Sequence, residues 1–296
     1  MFQALGGGRL CAGFFLPQCQ RSSLSLFVAL ILYGDAPTDC SLKPHVDSDI
    51  SLLHNTQMLD FMTYTVATHR DPLLLRFIES AVYFDIPFKV LAFGEKWPCP
   101  VDNQPGFGWR ILLMREVLKK LHKDSIVMVT DCFDVVLSAS PKEIISKFKA
   151  FDCPIVFSAE MNVWPDPSLK PRYPEHPSPF RFLNAGGYIG YVGALGELFN
   201  GLEVDVADDD QLVLSRHFLD APGAIRLDHE CSIFQTLYKV HPDSLIYNSK
   251  YHRVMNLKMG SFPCVFHGNG NSRPLLDHLC QEFIPPADEL RTTMIS

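Results

Sequence analysis

Ser125-Ile126-Val127-Met128-Val129-Thr130-Asp131-Cys132-Phe133-Asp134 is the stretch that decides the fold. A β-branched apolar run ends abruptly in two acids spaced i, i+3. Such a run reads as a buried parallel strand, and open α/β sheets place ligands at the carboxyl ends of their strands. Two carboxylates at that edge suit a hard divalent cation that keeps some coordination sites open. Downstream, Pro263-Cys264-Val265-Phe266 is a second strand-like run, and it ends in His267-Gly268-Asn269-Gly270. An acidic cluster, Asp208-Asp209-Asp210-Gln211, lies between the two. The layout suggests metal-assisted group transfer on a phosphate-bearing donor.

Upstream of this stretch, Phe61 to Ala67 reads as a first strand, with Thr68-His69-Arg70-Asp71-Pro72 as its loop. Pro72 suits the first turn of a helix running to about Phe84, where Leu73, Leu74, Phe77, Ile78, Ala81 and Val82 fall at helical spacing. Phe88 to Phe93 is a second strand, and Gly106-Phe107-Gly108 leads into another amphipathic helix through Leu121. Downstream, Pro141 opens a helix to about Phe148, and Pro154 to Ser158 is the next strand. This alternation predicts an α/β fold with a mainly parallel, helix-covered sheet. Residues 161–181, rich in proline and aromatics, read as a functional loop. Asn184-Ala185-Gly186-Gly187 reads as a break before the apolar run Tyr188 to Val192, and Asp210 to Phe218 as a helix.

The 296 residues allow a full core, and 47% apolar with 20% charged residues is ordinary globular composition. The formal charge is −7 and no Lys/Arg block occurs, which argues against nucleic-acid binding. An acidic protein that handles an anionic donor must supply positive charge locally, and a metal does so. The nine cysteines form no C-x-x-C pair, so a structural zinc site is not expected, and spacing alone defines no disulfide framework. Arg21 precedes an apolar run from Leu24 to Tyr33, the length of a signal-peptide core. Residues 1–34 are therefore expected to be a signal peptide or short signal-anchor with possible membrane contact. Residues 35–57 read as a linker, 58–288 as the folded domain and 289–296 as a tail. The expected location is the lumen of the endoplasmic reticulum or Golgi, or outside the cell.

Together the motifs resemble the glycosyltransferase domain of the multifunctional procollagen lysyl hydroxylases and its stand-alone relatives. The carrying residues are Thr65-Val66-Ala67-Thr68, Thr130 to Leu137, Phe157-Ser158-Ala159-Glu160, Trp164-Pro165, Phe182 to Gly190, Asp208 to Leu212 and His267 to Gly270. The resemblance implies a GT-A glycosyltransferase using a UDP-sugar, UDP-galactose or UDP-glucose, and Mn²⁺. It implies Asp131, Asp134 and His267 as metal ligands and Phe133 as an aromatic against the uracil ring. It implies Ala67 and Thr68 at the nucleotide edge, Asn184, Gly186 and Gly187 at the donor, and Asn269 and Gly270 near the diphosphate. Asp209, Asp210 and Trp164 match positions on the sugar and acceptor side and are the candidate catalytic residues. The implied acceptor is a hydroxyl on protein or glycan, with hydroxylysine or galactosyl-hydroxylysine of collagen-like sequence suggested by the family. Cys132 and Ala185 depart from the residues usual at their positions. The resemblance covers residues of the glycosyltransferase domain alone, so no iron/2-oxoglutarate domain and no hydroxylase activity are expected of these 296 residues.

Plainer roles exist for the same residues. Asp131 and Asp134 can cap a following turn, and Asp208 to Asp210 can be a solvated first helical turn. His267 can be an ordinary buried histidine, Trp164 plain packing, and Asn184 with its two glycines a tight turn. The corresponding alternative for the whole chain is a GT-A-fold module that binds a glycan or protein without turnover.

Overall fold

The computed structural model describes residues 50–52, 61–98 and 106–283. The expected signal segment, the start of the domain at Met58, the tail, and Cys11, Cys19, Cys40 and Cys99 lie outside them. In chain order the elements are β1 (Ile50–Leu52), β2 (Phe61–Val66), α1 (Pro72–Tyr83), β3 (Phe88–Leu91), α2 (Gly108–Leu118), β4 (Ile126–Thr130) and β5 (Val135–Leu137). They continue with α3 (Pro141–Ala150), β6 (Ile155–Glu160), β7 (Phe182–Tyr191), α4 (Val192–Gly201), α5 (Asp210–Asp220), β8 (Ile225–Asp228) and β9 (Phe234–Thr236). A hairpin of β10 (Leu245–Asn248) and β11 (Arg253–Asn256), then β12 (Val265–His267) and α6 (Arg273–Phe283), complete the described chain.

Helix starts follow local chemistry. Asp71 accepts a hydrogen bond from Leu73 N at 2.7 Å ahead of Pro72, and Ser140 accepts one from Glu143 N at 3.4 Å ahead of Pro141. A capping side chain satisfies one of the amides a first helical turn leaves unpaired, and proline has none to leave. The main sheet has seven strands in the order β1-β3-β2-β4-β7-β6-β8. β3, β2, β4, β6 and β8 run one way, while β1 and β7 run against them. The expected α/β sheet of mainly parallel direction is thus present, with β7 reversed in its middle. β4 is buried at all five positions because neighbouring strands flank it and helices cover the sheet, which explains its unbroken apolar run. Ile50–Leu52, inside the segment read as a linker, pairs antiparallel with β3. Three residues are too few to show an alternating pattern.

A second sheet, β5-β12-β9, positions the chemistry. After β4 the chain turns through Asp131 to Asp134 and re-enters as β5, whose Val135 stands opposite His267 at the end of β12. Gly268 N donates to Asp134 O at 2.7 Å. The same pairing brings together two motifs far apart in sequence. Asp228, fully buried at the end of β8, accepts from Ser232 N, Ile233 N and Phe234 N at 2.7–2.8 Å and so fixes the entry to β9.

One expectation is corrected. Asn184 to Gly187 is not a break, because it lies within the ten-residue strand β7. Pairing with β6 shifts register between Phe157 and Ser158, so Phe157 faces Tyr188 while Ser158 faces Asn184. The glycines sit in this bulge, where side chains from two directions crowd the backbone. The functional loop expected over 161–181 is only partly a surface loop: Leu169, Tyr173 and Phe180 are buried in the core. Cys132, Cys153, Cys231, Cys264 and Cys280 are all free. No helix among the described residues is long and apolar enough to cross a membrane.

Candidate active site

At the carboxyl end of β4 a cleft of about 830 Å³ opens. Asp131, Asp134 and His267 meet on its floor, each offering a ligand atom within 4.8 Å of the others. His267 Nε2 lies 3.5 Å from Asp131 Oδ2 and 3.4 Å from Asp134 Oδ2. His267 is buried. Burial pulls its pKa down, yet Asp134, Asp131 and Glu160 outweigh burial and raise it to about 9. Burial would raise Asp134 in turn, but His267, Arg273 and Arg110 hold it below the usual carboxylate range. The cluster thus favours positive charge at its centre, which a divalent cation can supply in place of the imidazolium proton.

Three features fit this cluster to a metal ion. Its two carboxylates and one imidazole are a mixed O/N donor set. His267 Nδ1 is turned to Asn184 Oδ1 at 3.2 Å, which leaves Nε2 directed at the two acids. Gly186 keeps the space open: a Cβ there would come within 2.2 Å of His267 Cε1 and 2.7 Å of Asp131 Oδ2.

Behind the histidine lies a buried polar network. Glu160, at the end of β6, accepts from Asn184 Nδ2 at 3.0 Å, Gln211 Nε2 at 2.8 Å and Asn269 Nδ2 at 3.1 Å. Burial raises its carboxyl above the usual range against the pull of those three amides. Asn184 Oδ1 also accepts from Gly186 N at 3.1 Å, and Asn269 Oδ1 from Leu237 N and Tyr238 N at 3.1 and 3.0 Å. Gln211 Oε1 accepts from Ala185 N at 3.0 Å, and its amide also donates to Trp164 O at 3.1 Å. Each amide is therefore oriented from both ends, and Glu160 links β6, β7, α5 and the loop after β12.

On the other side, Asp209 and Asp210 begin α5. Asp209 caps the helix by accepting from Leu212 N at 2.9 Å, while its residue also lines the cleft. Asp210 is 6% exposed, and burial pushes its carboxyl up to about 6 against the attraction of Arg110. Arg110 Nη2 donates to Asp131 Oδ1, and its Nη1 stands 3.4 Å from Asp210 Oδ2.

The remaining expected residues divide. Phe133 lines the cleft and stacks against His69 with ring centroids 5.5 Å apart. Asn184, Gly186, Asn269 and Gly270 also line it, as does Trp164, 60% exposed. Val66 lines the cleft where Ala67 and Thr68 do not, and Gly187 packs toward Phe234. Arg110, Gln211, Arg273 and the role of Glu160 are not assigned from the sequence. Glu160 carries a usable signal, an acid at the carboxyl end of a parallel-running strand. Arg110 carries none, since its partners are set by tertiary structure.

Fold and site define an α/β protein with a mainly parallel sheet and paired acids at the carboxyl end of a central strand. Residues 57–290 match the PLOD GT domain, and the chain belongs to that glycosyltransferase family. Its curated relatives include procollagen-lysine,2-oxoglutarate 5-dioxygenase 1 of Mus musculus, 34% identical over 230 residues, covering 74% of this chain and 31% of that one. Another is the multifunctional procollagen lysine hydroxylase and glycosyltransferase LH3 of Homo sapiens, 33% identical over 227 residues, 74% of this chain and 31% of the relative. The chain thus spans about a third of their length. Among solved structures, galactosyltransferase LgtC aligns at 12% identity and a TM-score of 0.41, over 78% of this chain and 99% of that one.

Proposed function

We propose that this chain is a metal-dependent hexosyltransferase, moving galactose or glucose from a UDP-sugar to a hydroxyl on a protein or glycan. Hydroxylysine or galactosyl-hydroxylysine of collagen-like sequence is the acceptor the family suggests. The observation that carries the reading is the convergence of Asp131, Asp134 and His267 Nε2 in one cleft, with a glycine backbone keeping the space between them open. Those three residues would hold Mn²⁺. Bound there, the ion supplies Lewis-acid neutralisation of charge on the departing diphosphate.

This chain's own residues would do the rest. Asn184 holds the His267 ring in orientation, and Glu160 holds Asn184. Arg273, at the start of α6, adds a positive charge to the cleft wall beside Asp134. Phe133 offers a ring face for uracil. Asp209 and Asp210 stand on the acceptor side, where a carboxylate can orient a hydroxyl and take its proton. The N-terminal apolar stretch would deliver the domain to the secretory lumen.

The test is UDP release from UDP-galactose, UDP-glucose and other UDP-sugars, with Mn²⁺ or chelator, with and without a collagen-like hydroxylysine peptide. Metal-dependent release with one sugar supports the reading and names the donor. Metal-dependent binding with no release under any acceptor favours a binding module instead. Phe133→Ala is expected to weaken UDP binding by about 1–3 kcal/mol, as base–aromatic stacking would. Unchanged affinity by calorimetry would place the base elsewhere.

A further inference from the structure

Arg110 stands where the metal end and the acid end of the cleft meet. Its side chain is 17% exposed; one guanidinium nitrogen donates to Asp131 Oδ1 and another faces Asp210 Oδ2 at 3.4 Å. The fork is carried to this point by tight backbone docking. Gly108 N donates to Asp208 O at 2.8 Å, and a Cβ on Gly108 would come within 1.9 Å of Asp205 O. The start of α2 therefore sits directly on the loop that leads into α5, whose cap is Asp209. Asp205 N in turn donates to Asp208 Oδ2 at 2.7 Å, closing that loop on itself. A planar guanidinium can engage two carboxylates in fixed directions, whereas a lysine offers one mobile point charge.

We propose that Arg110 is a positioning residue for the transfer step, holding Asp210 at a fixed place relative to the metal-side carboxylate Asp131; this rests on the glycosyltransferase reading. Asp131 would keep Oδ2 turned toward Asp134 and His267 because its other oxygen is engaged by Arg110. Asp210 would keep its oxygen at the cleft floor for the same reason. The two halves of the reaction, donor activation and acceptor orientation, then share one geometric reference. A role confined to folding would move stability. A role confined to donor binding would move the donor KM.

The experiment compares Arg110→Lys, Asp210→Asn and the double variant with wild type, reading kcat, donor KM and melting temperature from UDP-release kinetics and thermal scans. Arg115→Lys is the control on the same helix, since Arg115 bonds the carbonyls of Phe199 and Leu202 instead. At saturating Mn²⁺, R110K is expected to lower kcat about 10–100-fold, the scale of a misplaced reacting group, with donor KM within about threefold. The double variant is expected to be no slower than the slower single one, since the pair acts as a unit. Arg115→Lys leaves kcat unchanged. Wild-type kcat in R110K, multiplying losses in the double variant, or a change in donor KM alone would overturn the proposal. Should R110K not fold, Asp210→Asn reads the same pair: a fall in kcat at constant donor KM supports it, and wild-type kcat overturns it. Absence of turnover in the wild-type chain would be a failure of the glycosyltransferase reading. The coupling would then be read as Mn²⁺ affinity by electron paramagnetic resonance. Asp210→Asn is expected to weaken Mn²⁺ more in the wild-type background than in the R110K background, and equal weakening in both overturns the proposal.

Discussion

Asp134→Ala is expected to abolish Mn²⁺-dependent UDP binding while the chain still melts as a folded protein. The carboxylate faces His267 Nε2 at 3.4 Å and is one of three ligand groups on the cleft floor. Its structural duty is carried by a different atom: the Asp134 carbonyl, which alanine retains, accepts from Gly268 N and joins β5 to β12. The substitution therefore removes a ligand without removing the pairing that brings β12 to the site. Changing a group that merely orients a ligand costs about 10–100-fold in metal affinity, so losing a ligand should cost at least the upper end of that range. The variant also relieves His267 of the strongest charge that raises its pKa, leaving Asp131 and Glu160 as the carboxylates that still do so. Calorimetric titration of UDP with and without Mn²⁺ checks the expectation. Wild-type affinity in the variant would remove Asp134 from the metal set and leave the motif a turn.

Legibility of this site tracks how local its physics is. β4 and its two acids are readable because a strand buried on both sides must be apolar throughout, so the polar residues that end it stand out. His267 is readable for the same reason at the end of β12, helped by the glycines that follow. The capping role of Asp209 is readable as an acid before an apolar helix, and it coexists with a place on the cleft wall. Asn184 to Gly187 misleads, since two adjacent glycines signal a turn wherever no neighbour is known. In β7 they answer to close approach by other side chains, His267 and Asp131 against Gly186 and Phe234 against Gly187. Arg110 is illegible because a helical arginine looks the same whether it faces solvent or one buried and one half-buried carboxylate. The network around Glu160 is illegible as a network, though each member falls within a recognisable motif. Its hydrogen bonds join four elements whose adjacency is a property of the sheet order.

Gly186→Ala is expected to remove metal-dependent UDP binding by more than about 100-fold, although it alters no ligand and adds one methyl group. The new Cβ would stand 2.2 Å from His267 Cε1, 2.8 Å from His267 Nδ1 and 2.7 Å from Asp131 Oδ2. Something must shift, and the backbone is poorly placed to do so. Gly186 O accepts from Asp131 N at 3.0 Å, and Gly186 N donates to Asn184 Oδ1 at 3.1 Å. The softer response is rotation of the His267 ring and the Asp131 carboxylate away from the methyl, which separates the ligands from one another. Overpacking of this kind costs about 1–3 kcal/mol of stability, so folding alone does not report the effect. Gly187→Ala supplies the comparison. Its Cβ would meet Phe234 Cδ1 at 2.8 Å on the far side of the strand, and it does not line the cleft. Both variants should lose comparable stability in denaturant titrations, and only Gly186→Ala should lose Mn²⁺-dependent UDP binding. Equal binding losses in the two would mean that strain in β7, rather than occupation of the space between the ligands, controls the site. Retained binding in Gly186→Ala would mean that the imidazole is not a ligand, because a ring displaced by a methyl group could not keep its place in the coordination shell.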